Sequence, residues 1–353
     1  MSFIQNRCLF FAFNPMVKRS SNTNSPLNSA KSAKNDEFYT QMSDIERELW
    51  HYKEQFRGKV ILCNCDDPRV SNFFRYFFTS FYRLGLKKII SVCYKNLNPD
   101  LFSQNKDEQA VYCVYDGKDR ADDIIEGDYE EFVRYNEWQT LKGDGDFRSQ
   151  ECIELLKQAD IVVTNPPFSL FREYVSQLDE YKKKFLIIGD QNAITYKEIF
   201  KLIKDNKLWI GIDNGGTKWF QVPSHYNIQT QTRIKIENGV KYFSKGSIVW
   251  FTNLDHVKRH EEITLYKRYT PKEYPKYDNY DAIEVSKVVE IPMDYDGVMG
   301  VPVTFLDKYN PKQFEILGSN RGIDQDPNGV YGRGSFLNGK ETFKRLFIRR
   351  IKK

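Results

Sequence analysis

Short apolar runs that recur along the first two thirds of the sequence constrain its fold more than any other feature. Four of these runs have the length and composition of buried strands, at residues 59–65, 88–93, 161–164 and 185–188. Segments with helical periodicity lie between or after them, at residues 73–81, 152–158, 170–178 and 196–203. Strands that alternate with helices predict an α/β domain in which a parallel sheet is covered by helices on both faces.

Two later apolar runs extend this pattern before it fades. They lie at residues 208–212 and 248–252 and predict two more strands, separated by an insertion that contains Gly215 and Gly216. Beyond residue 265 the chain changes to segments rich in Tyr, Asp and Pro, in which neither period is clear. We therefore expect a boundary near residue 265, between a regular α/β domain and a region of another kind.

Both ends of the chain are basic. Residues 1–35 contain five bases and no acid, and residues 340–353 contain seven bases against Glu341. Residues 17–35 are also rich in Ser and Asn, a composition that predicts a disordered arm. The bases of that arm are Lys18, Arg19, Lys31 and Lys34. Such ends either keep a chain soluble or attract phosphates irrespective of sequence, and composition alone leaves both interpretations open.

Several function classes are disfavoured by what the sequence lacks. No run approaches the roughly 20 apolar residues that a membrane-spanning helix needs, so we expect no membrane association. The six cysteines and four histidines show no spacing typical of metal ligands, so we expect no metal site. The absence of a disulfide pattern favours the reducing cytoplasm. Carboxylates and lysines form no cluster typical of a nuclease.

The sequence Asn165-Pro166-Pro167-Phe168 directly follows the predicted strand at residues 161–164. Ligands of open α/β sheets bind beyond the carboxyl ends of strands, which is where this tetrapeptide would lie. An amide oxygen and a carbonyl held by prolines can accept hydrogen bonds from an amino group conjugated to a ring, and thereby turn its lone pair towards a methyl donor. Phe168 offers a face for the ring. The simpler interpretation is a proline-containing turn capped by an asparagine.

Longer strings of the sequence resemble the EcoRI family of adenine-specific DNA methyltransferases. The resemblance extends from about residue 36 to about residue 317 and includes most of the chain. The strings that carry it lie in order at residues 36–40, 63–74, 143–149, 165–174, 275–281 and 295–302. Several long strings in the same order are far more specific than one tetrapeptide.

The resemblance implies a binding site for the methyl donor S-adenosylmethionine. Two segments would hold the methionine portion of the donor, namely Phe38, Tyr39 and Thr40, and Asp66, Asp67 and Pro68. Asp146 would accept a hydrogen bond from the adenine amino group of the donor, and Phe147 would lie beside the adenine ring. An acidic residue that often binds the donor ribose has no counterpart, because Val92-Cys93 is followed by Tyr94-Lys95.

The resemblance also implies the fold and the reaction. We expect a Rossmann-like methyltransferase domain at residues 36–265, in which Asn165, Pro166, Pro167 and Phe168 form the catalytic motif. We expect residues 266–353, with their basic C-terminus, to recognise the target, with a possible contribution from residues 213–247. The predicted activity is methylation of adenine N6 at a specific site in double-stranded DNA.

The predicted setting is restriction and modification, in which a monomeric methyltransferase works beside a separate cognate restriction endonuclease. If the resemblance extends to target choice, the site is GAATTC, methylated at its second adenine. Two alternatives stay open. One is a methyltransferase that acts on glutamine in a protein or on RNA, because both can use an Asn-Pro-Pro-aromatic motif. The other is a catalytically silent DNA-binding homologue.

Overall fold

A computed structural model describes residues 39–65, 67–94, 110–118, 129–222, 233–244, 246–321 and 330–352. In chain order the strands are β1 (Tyr39–Thr40), β2 (Val60–Asn64), β3 (Lys88–Val92), β4 (Val111–Tyr115), β5 (Gln139–Thr140), β6 (Ile161–Thr164), β7 (Lys184–Asp190), β8 (Trp209–Ile210), β9 (Phe220–Gln221), β10 (Ile234–Glu237), β11 (Val240–Phe243), β12 (Ile248–Thr252), β13 (Ala282–Glu284), β14 (Val298–Pro302), β15 (Phe314–Ser319), β16 (Phe336–Leu337), β17 (Lys340–Glu341) and β18 (Arg345–Arg350). The α-helices are α1 (Met42–Leu49), α2 (Lys53–Phe56), α3 (Asn72–Thr79), α4 (Phe81–Leu84), α5 (Tyr129–Tyr135), α6 (Gln150–Gln158), α7 (Phe171–Glu180) and α8 (Lys197–Lys204).

An eight-stranded sheet, the main sheet, has the strand order β5-β4-β3-β2-β6-β7-β12-β8. Its middle strands β3, β2, β6 and β7 are parallel, as predicted. The parallel arrangement does not extend to the margins of the sheet, where β4, β5 and β12 each run antiparallel to a neighbour. The middle strands are continuous apolar runs in the sequence. Such runs are typical of parallel strands, because helices cover both faces of a parallel sheet.

Helices cover both faces of the main sheet, as predicted. Alternate residues of β2 belong to different hydrophobic clusters: Val60 and Leu62 face α6, α7 and α8, whereas Ile61 and Cys63 face α1, α3 and α4. This alternation follows from the period of two along a strand. Ser71 starts α3, since its hydroxyl accepts hydrogen bonds from two backbone amides of the first turn.

The strand order reverses between β2 and β6. From β2 the chain passes through α3 and α4 to β3 on one side, and from β6 it passes through α7 to β7 on the other. The loops that follow β2 and β6 therefore diverge and leave a crevice between them. In open α/β sheets such a crevice, outside the carboxyl ends of the strands, is where ligands bind.

The C-terminal part forms a second sheet, with the strand order β13-β14-β18-β15. The apolar residues of one of its faces belong to the same hydrophobic cluster as the α6, α7 and α8 face of the main sheet, and α8 packs against β15. Ala282 and Phe347, on the other face, pack with Tyr277 and Tyr280 in a separate cluster. A small sheet of β1, β9, β11 and β10 lies beside α1 and α3, and β16 pairs with β17. No helix in the described part of the chain is long and apolar enough to cross a membrane.

Candidate active site

The ends of β2 and β6 are joined by side-chain hydrogen bonds. The hydroxyl of Thr164, the last residue of β6, donates to the backbone carbonyl of Asn64, the last residue of β2. The hydroxyl of Tyr174 on α7 donates to the side-chain oxygen of Asn64. All three residues are buried, so the crevice has a rigid floor. The sequence predicted neither bond, because the partners lie 100 and 110 residues apart along the chain.

The tetrapeptide at residues 165–168 leaves the sheet at this crevice. Asn165 is 9% exposed and Pro166 is buried, whereas Pro167 and Phe168 are half-buried. Phe168 begins a short 3-10 turn that leads into α7, and the amide of Leu170 donates to the carbonyl of Pro167 over 3.0 Å. The ring of Phe168 packs against the cluster that contains α1 and α3. The predicted catalytic motif is therefore at the carboxyl end of β6, where the sequence indicated it.

The loop after β2 fixes a carboxylate with an arginine two residues later. The backbone amide of Arg69 donates to Asp67 Oδ1 over 2.9 Å, and the Arg69 guanidinium donates to Asp67 Oδ2 over 2.6 Å. The carbonyl of Pro68 accepts a hydrogen bond of 2.8 Å from the hydroxyl of Tyr129 on α5. Asp67 and Pro68 follow the carboxyl end of β2, while Asp66 lies outside the described residues.

The loop that contains Asp146 repeats this arrangement. The Arg148 amide donates to Asp146 Oδ1 over 2.8 Å, and its guanidinium donates to Asp146 Oδ2 over 2.7 Å. Burial opposes ionisation of Asp146, but the hydrogen bonds from Arg148 outweigh it and lower the pKa of that carboxyl. The sequence signal for both turns is Asp-X-Arg. Arg69 and Arg148 orient the two carboxylates, and neither residue was among the predicted site residues.

Gly145 brings the Asp146 loop against the end of β3. Gly145 has a φ of +78°, and a Cβ there would lie 2.3 Å from the carbonyl oxygen of Cys93. Only glycine tolerates both this conformation and this approach. Phe147 is buried and packs edge-to-face on Tyr174, with 5.0 Å between the ring centroids. Asp146 and Phe147 are thus linked through Tyr174 to the same crevice floor as Asn64.

The segment Tyr39–Thr40 reaches the same edge of the sheet from the N-terminal side. The side-chain amide of Asn72 at the start of α3 donates to the carbonyl of Thr40 over 2.7 Å. Thr40 is buried, and its hydroxyl oxygen has no hydrogen-bond partner among the described residues. Phe38, the third residue predicted in this segment, lies outside the described residues.

A cavity of about 530 Å³ opens between this segment, the loop after β2 and α5. Its lining combines aromatic rings, side-chain amides and cations, among them Tyr39, Arg69, Asn72, Arg75, Tyr129 and Gln221. Arg75 is paired with Glu130 over 2.8 Å. The described part of the chain has no group of three His, Cys, Asp or Glu side chains that could hold a metal ion.

Of the two basic ends, the structure describes only the C-terminal one. Lys18, Arg19, Lys31 and Lys34 lie outside the described residues. Most described bases of the C-terminus are engaged within the protein: Arg345 pairs with Glu284 over 2.6 Å, Arg349 with Glu315 over 3.1 Å, and Lys352 with Asp296 over 3.0 Å. A count of charges along the sequence therefore overstates the free positive charge at this end.

Comparison with known proteins gives consistent matches. The family model for adenine-specific methyltransferase EcoRI matches residues 26–350, further towards both ends than the strings in the sequence indicated. The Type II methyltransferase M.EcoRI of Escherichia coli is 49% identical over 331 residues, which include 93% of this chain and 97% of that protein. M.MgeORF184P of Mycoplasma genitalium is 42% identical over 340 residues, 92% of this chain and 98% of that protein. M.MpnI of Mycoplasma pneumoniae is 42% identical over 294 residues. No solved structure matches the chain.

Proposed function

Because the chain belongs to the EcoRI family of adenine-specific methyltransferases, we propose that its crevice transfers a methyl group from S-adenosylmethionine to adenine N6 in double-stranded DNA. The enzyme class follows from the family, and the protein is a site-specific adenine methyltransferase. The observation that carries the proposal is the junction of β2 and β6, where the Asp67 turn and the tetrapeptide at residues 165–168 leave neighbouring strands. The strand order around this junction supports a Rossmann-like methyltransferase fold.

The residues at the crevice have the chemical groups that a binding site for the methyl donor needs. Thr40 contributes a buried hydroxyl without a partner in the described part of the chain, which a donor carboxylate or amine would satisfy. Asp67 and Asp146 offer carboxylates to the positively charged methionine portion and to the adenine amino group, respectively. S-adenosylmethionine supplies an electrophilic methyl group when bound. Tyr39, Pro68 and Phe147 would complete the apolar walls.

The target site that we propose is the tetrapeptide. The Asn165 side-chain oxygen and the Pro166 carbonyl would accept hydrogen bonds from the two N–H groups of the adenine amino group, which keeps its lone pair out of conjugation and directed at the methyl donor. Pro167 and the short turn after it restrict the backbone, so little reorganisation is needed. Phe168 would contact the extruded base. The methylated nitrogen is acidic enough to lose its proton to water, so no side chain need act as a strong base.

We also propose that DNA binding has a component that does not depend on sequence. Lys18, Arg19, Lys31 and Lys34 on the N-terminal arm would contact phosphates, and residues 266–353 would carry target recognition. A separate restriction endonuclease with the same target fits the type II names of the relatives. We further propose that the protein works as a monomer. The family description disfavours glutamine as the acceptor.

The experiment measures transfer of a radiolabelled methyl group to four acceptors: duplex DNA with GAATTC, duplex DNA without it, RNA and protein. We expect label only in duplex DNA, at adenine N6, in a subset of sequences that sequencing of the product identifies. DNA that contains GAATTC should then resist EcoRI nuclease if the target is shared. Label in RNA or protein, or donor binding without transfer to any acceptor, would overturn the proposal.

A further inference from the structure

Phe343 lies almost entirely in solvent. Its side chain is 85% exposed, more than any other large hydrophobic residue that the structure describes. An exposed phenylalanine forgoes the gain from burial, and at a site of interaction this gain is recovered from a partner. Ile351, which is 41% exposed, is the nearest residue of this kind along the chain. Packing within the fold therefore does not explain why a phenylalanine occupies this position.

Hydrogen bonds hold the backbone at Phe343 in place, so the exposed ring projects from a fixed position. Asn320 is fully buried and holds the backbone at Phe343 and at the second residue after it. Its side-chain amide donates to the carbonyl of Phe343 over 2.8 Å, and its side-chain oxygen accepts from the amide of Arg345 over 2.8 Å. The amide of Thr342 donates to the carbonyl of Ser335 over 2.7 Å. Buried hydrogen bonds of this kind specify one backbone conformation.

The position of Phe343 connects it with the candidate active site. The next residue, Lys344, donates to the side-chain oxygen of Asn192 over 2.5 Å. Asn192 lies just after β7, at its carboxyl end, and β7 is the neighbour of β6, which leads into Asn165. Phe343 is thus a C-terminal residue at the edge of the main sheet where we propose that the adenine is methylated.

The surroundings of Phe343 have an excess of positive charge. Among the described residues, four bases lie on the segments that hydrogen-bond around the ring, namely Lys340, Lys344, Arg321 and Arg333. They face two acids, Glu341 and Asp278, of which Asp278 accepts hydrogen bonds from the amides of Asn338 and Gly339. Arg321 pairs with Glu341 over 2.6 Å. An aromatic ring surrounded by cations matches DNA, whose phosphates attract the cations and whose bases stack on the ring.

We propose that Phe343 is a wedge that enters the duplex beside the target adenine and stacks on the bases that remain. By filling the space that the adenine leaves, the ring lowers the cost of extrusion. This inference rests on the proposed function, since it assumes that the adenine is methylated outside the helix. It assigns Phe343 to target access, whereas Asn165 acts on the amino group.

The test compares Phe343→Ala with Phe343→Trp, which keeps a stacking surface, and with Trp50→Ala. Trp50 is 58% exposed and lies two short helical turns before β2, at the opposite edge of the sheet. The DNA carries the sequence that the wild-type protein methylates. Loss of one base-aromatic stack should lower kcat/KM of Phe343→Ala about 10-fold to 100-fold. Phe343→Trp should restore most of the activity, and Trp50→Ala should match the wild type.

Two further measurements separate a wedge from a general DNA contact. With 2-aminopurine at the target position, the fluorescence increase on binding should be smaller for Phe343→Ala than for the wild type. With the target adenine opposite a mismatched base, extrusion costs less, so the defect in methylation should shrink. The thermal stability of Phe343→Ala should equal that of the wild type, because the ring is not packed.

Three results would overturn the wedge. They are wild-type turnover by Phe343→Ala on paired DNA, an equal defect on paired and mismatched DNA, and a change from dimer to monomer in sedimentation, which would make the ring a contact between copies. If the wild type methylates adenine but Phe343→Ala behaves normally, only the wedge falls. If the wild type methylates no DNA, the proposed function falls with it.

Discussion

The main sheet has buried polar side chains both at the amino ends of its parallel strands, the amino edge, and at their carboxyl ends, the carboxyl edge. The two groups of side chains are held in different ways. At the amino edge, His256 is buried with its Nε2 2.9 Å from the carbonyl of Ile210, and Arg259 stacks 3.4 Å above the centroid of Trp209. Burial lowers the pKa of His256 to about 4 and also lowers that of Arg259. At the carboxyl edge, the pKa of Asp146 is lowered as well.

A shifted pKa therefore does not identify the active edge in this protein. The difference lies in how the polar groups are held. Groups at the amino edge bond to strand backbones and pack on rings, which stabilises the sheet. Groups at the carboxyl edge sit in short turns after diverging strands, at a crevice. Topology distinguishes the two edges where electrostatics does not.

The largest expected effect separates two asparagines, one at each edge. Asn165→Ala should lower the rate of methyl transfer by about 10²–10³, because it removes one preorganised contact to the reacting amino group. Donor affinity should hardly change. Asn253→Ala is the matched control, since that side chain bonds to the backbone of Phe185 and Lys183 at the amino edge. It should lower the unfolding free energy by about 1–3 kcal/mol and leave kcat unchanged.

Single-turnover kinetics and urea denaturation measure the two effects. If Asn165→Ala retained the wild-type rate, the side chain would have no part in the reaction. If Asn253→Ala lowered the rate without lowering stability, the two edges would not be functionally distinct.

The second effect concerns pH and belongs to the amino edge alone. His256 has a folded-state pKa near 4, well below its ordinary value of 6.5. Its contribution to stability is therefore complete above about pH 6.5 and is lost as the pH falls towards 4, with a total of about 3 kcal/mol. Urea denaturation at a series of pH values should show this loss in the wild type. In His256→Asn the unfolding free energy should vary less over the same interval, while kcat at pH 8 stays the same. If the unfolding free energies of the two proteins varied equally with pH, His256 would not be the cause of the loss of stability.

The smallest expected effect tests the Asp-X-Arg turns of the carboxyl edge. Arg148→Gln removes the guanidinium that orients the Asp146 carboxylate, and the pKa of Asp146 should rise towards its ordinary value. Donor affinity should fall about 10-fold, as expected for the loss of a charge-assisted hydrogen bond, with kcat at saturating donor unchanged. Calorimetric titration with S-adenosylmethionine measures this, and the control is Arg349→Gln, which removes an exposed ion pair with Glu315 on the C-terminal sheet. Tighter donor binding by Arg148→Gln would mean that Arg148 competes with the donor for Asp146.

Local sequence predicted the main sheet and the motifs at its carboxyl edge, and did so for a physical reason. The strands β2, β3, β6 and β7 are continuous apolar runs, and each motif is contiguous with the strand that positions it. By contrast, β4 has buried, half-buried and exposed residues and was not predicted. Its antiparallel pairing with β3 depends on the fold rather than on its own pattern.

Long-range contacts are what the sequence could not supply. Arg345 reads as part of a basic tail, yet it forms a buried ion pair with Glu284, 61 residues earlier. The C-terminal sheet pairs β13 with β14 and β14 with β18, and none of these strands has a long apolar run. The bond between Tyr174 and Asn64 is of the same kind. Such partners become visible only when the chain is folded.

The hydrophobic cluster that joins α8 to the C-terminal sheet limits how this enzyme can be taken apart. Phe314 and Ile316 of β15 interlock with the same apolar surface as Ile199 and Phe200 of α8. In a chimera, residues 266–353 of a relative would pack against the α8 surface of this protein. Because the two surfaces did not evolve together, cavities or clashes would form between them. If residues 266–353 carry target recognition, as we propose, that function cannot be exchanged as a separate module. A graft would have to bring the outer face of α8 along with the C-terminal strands.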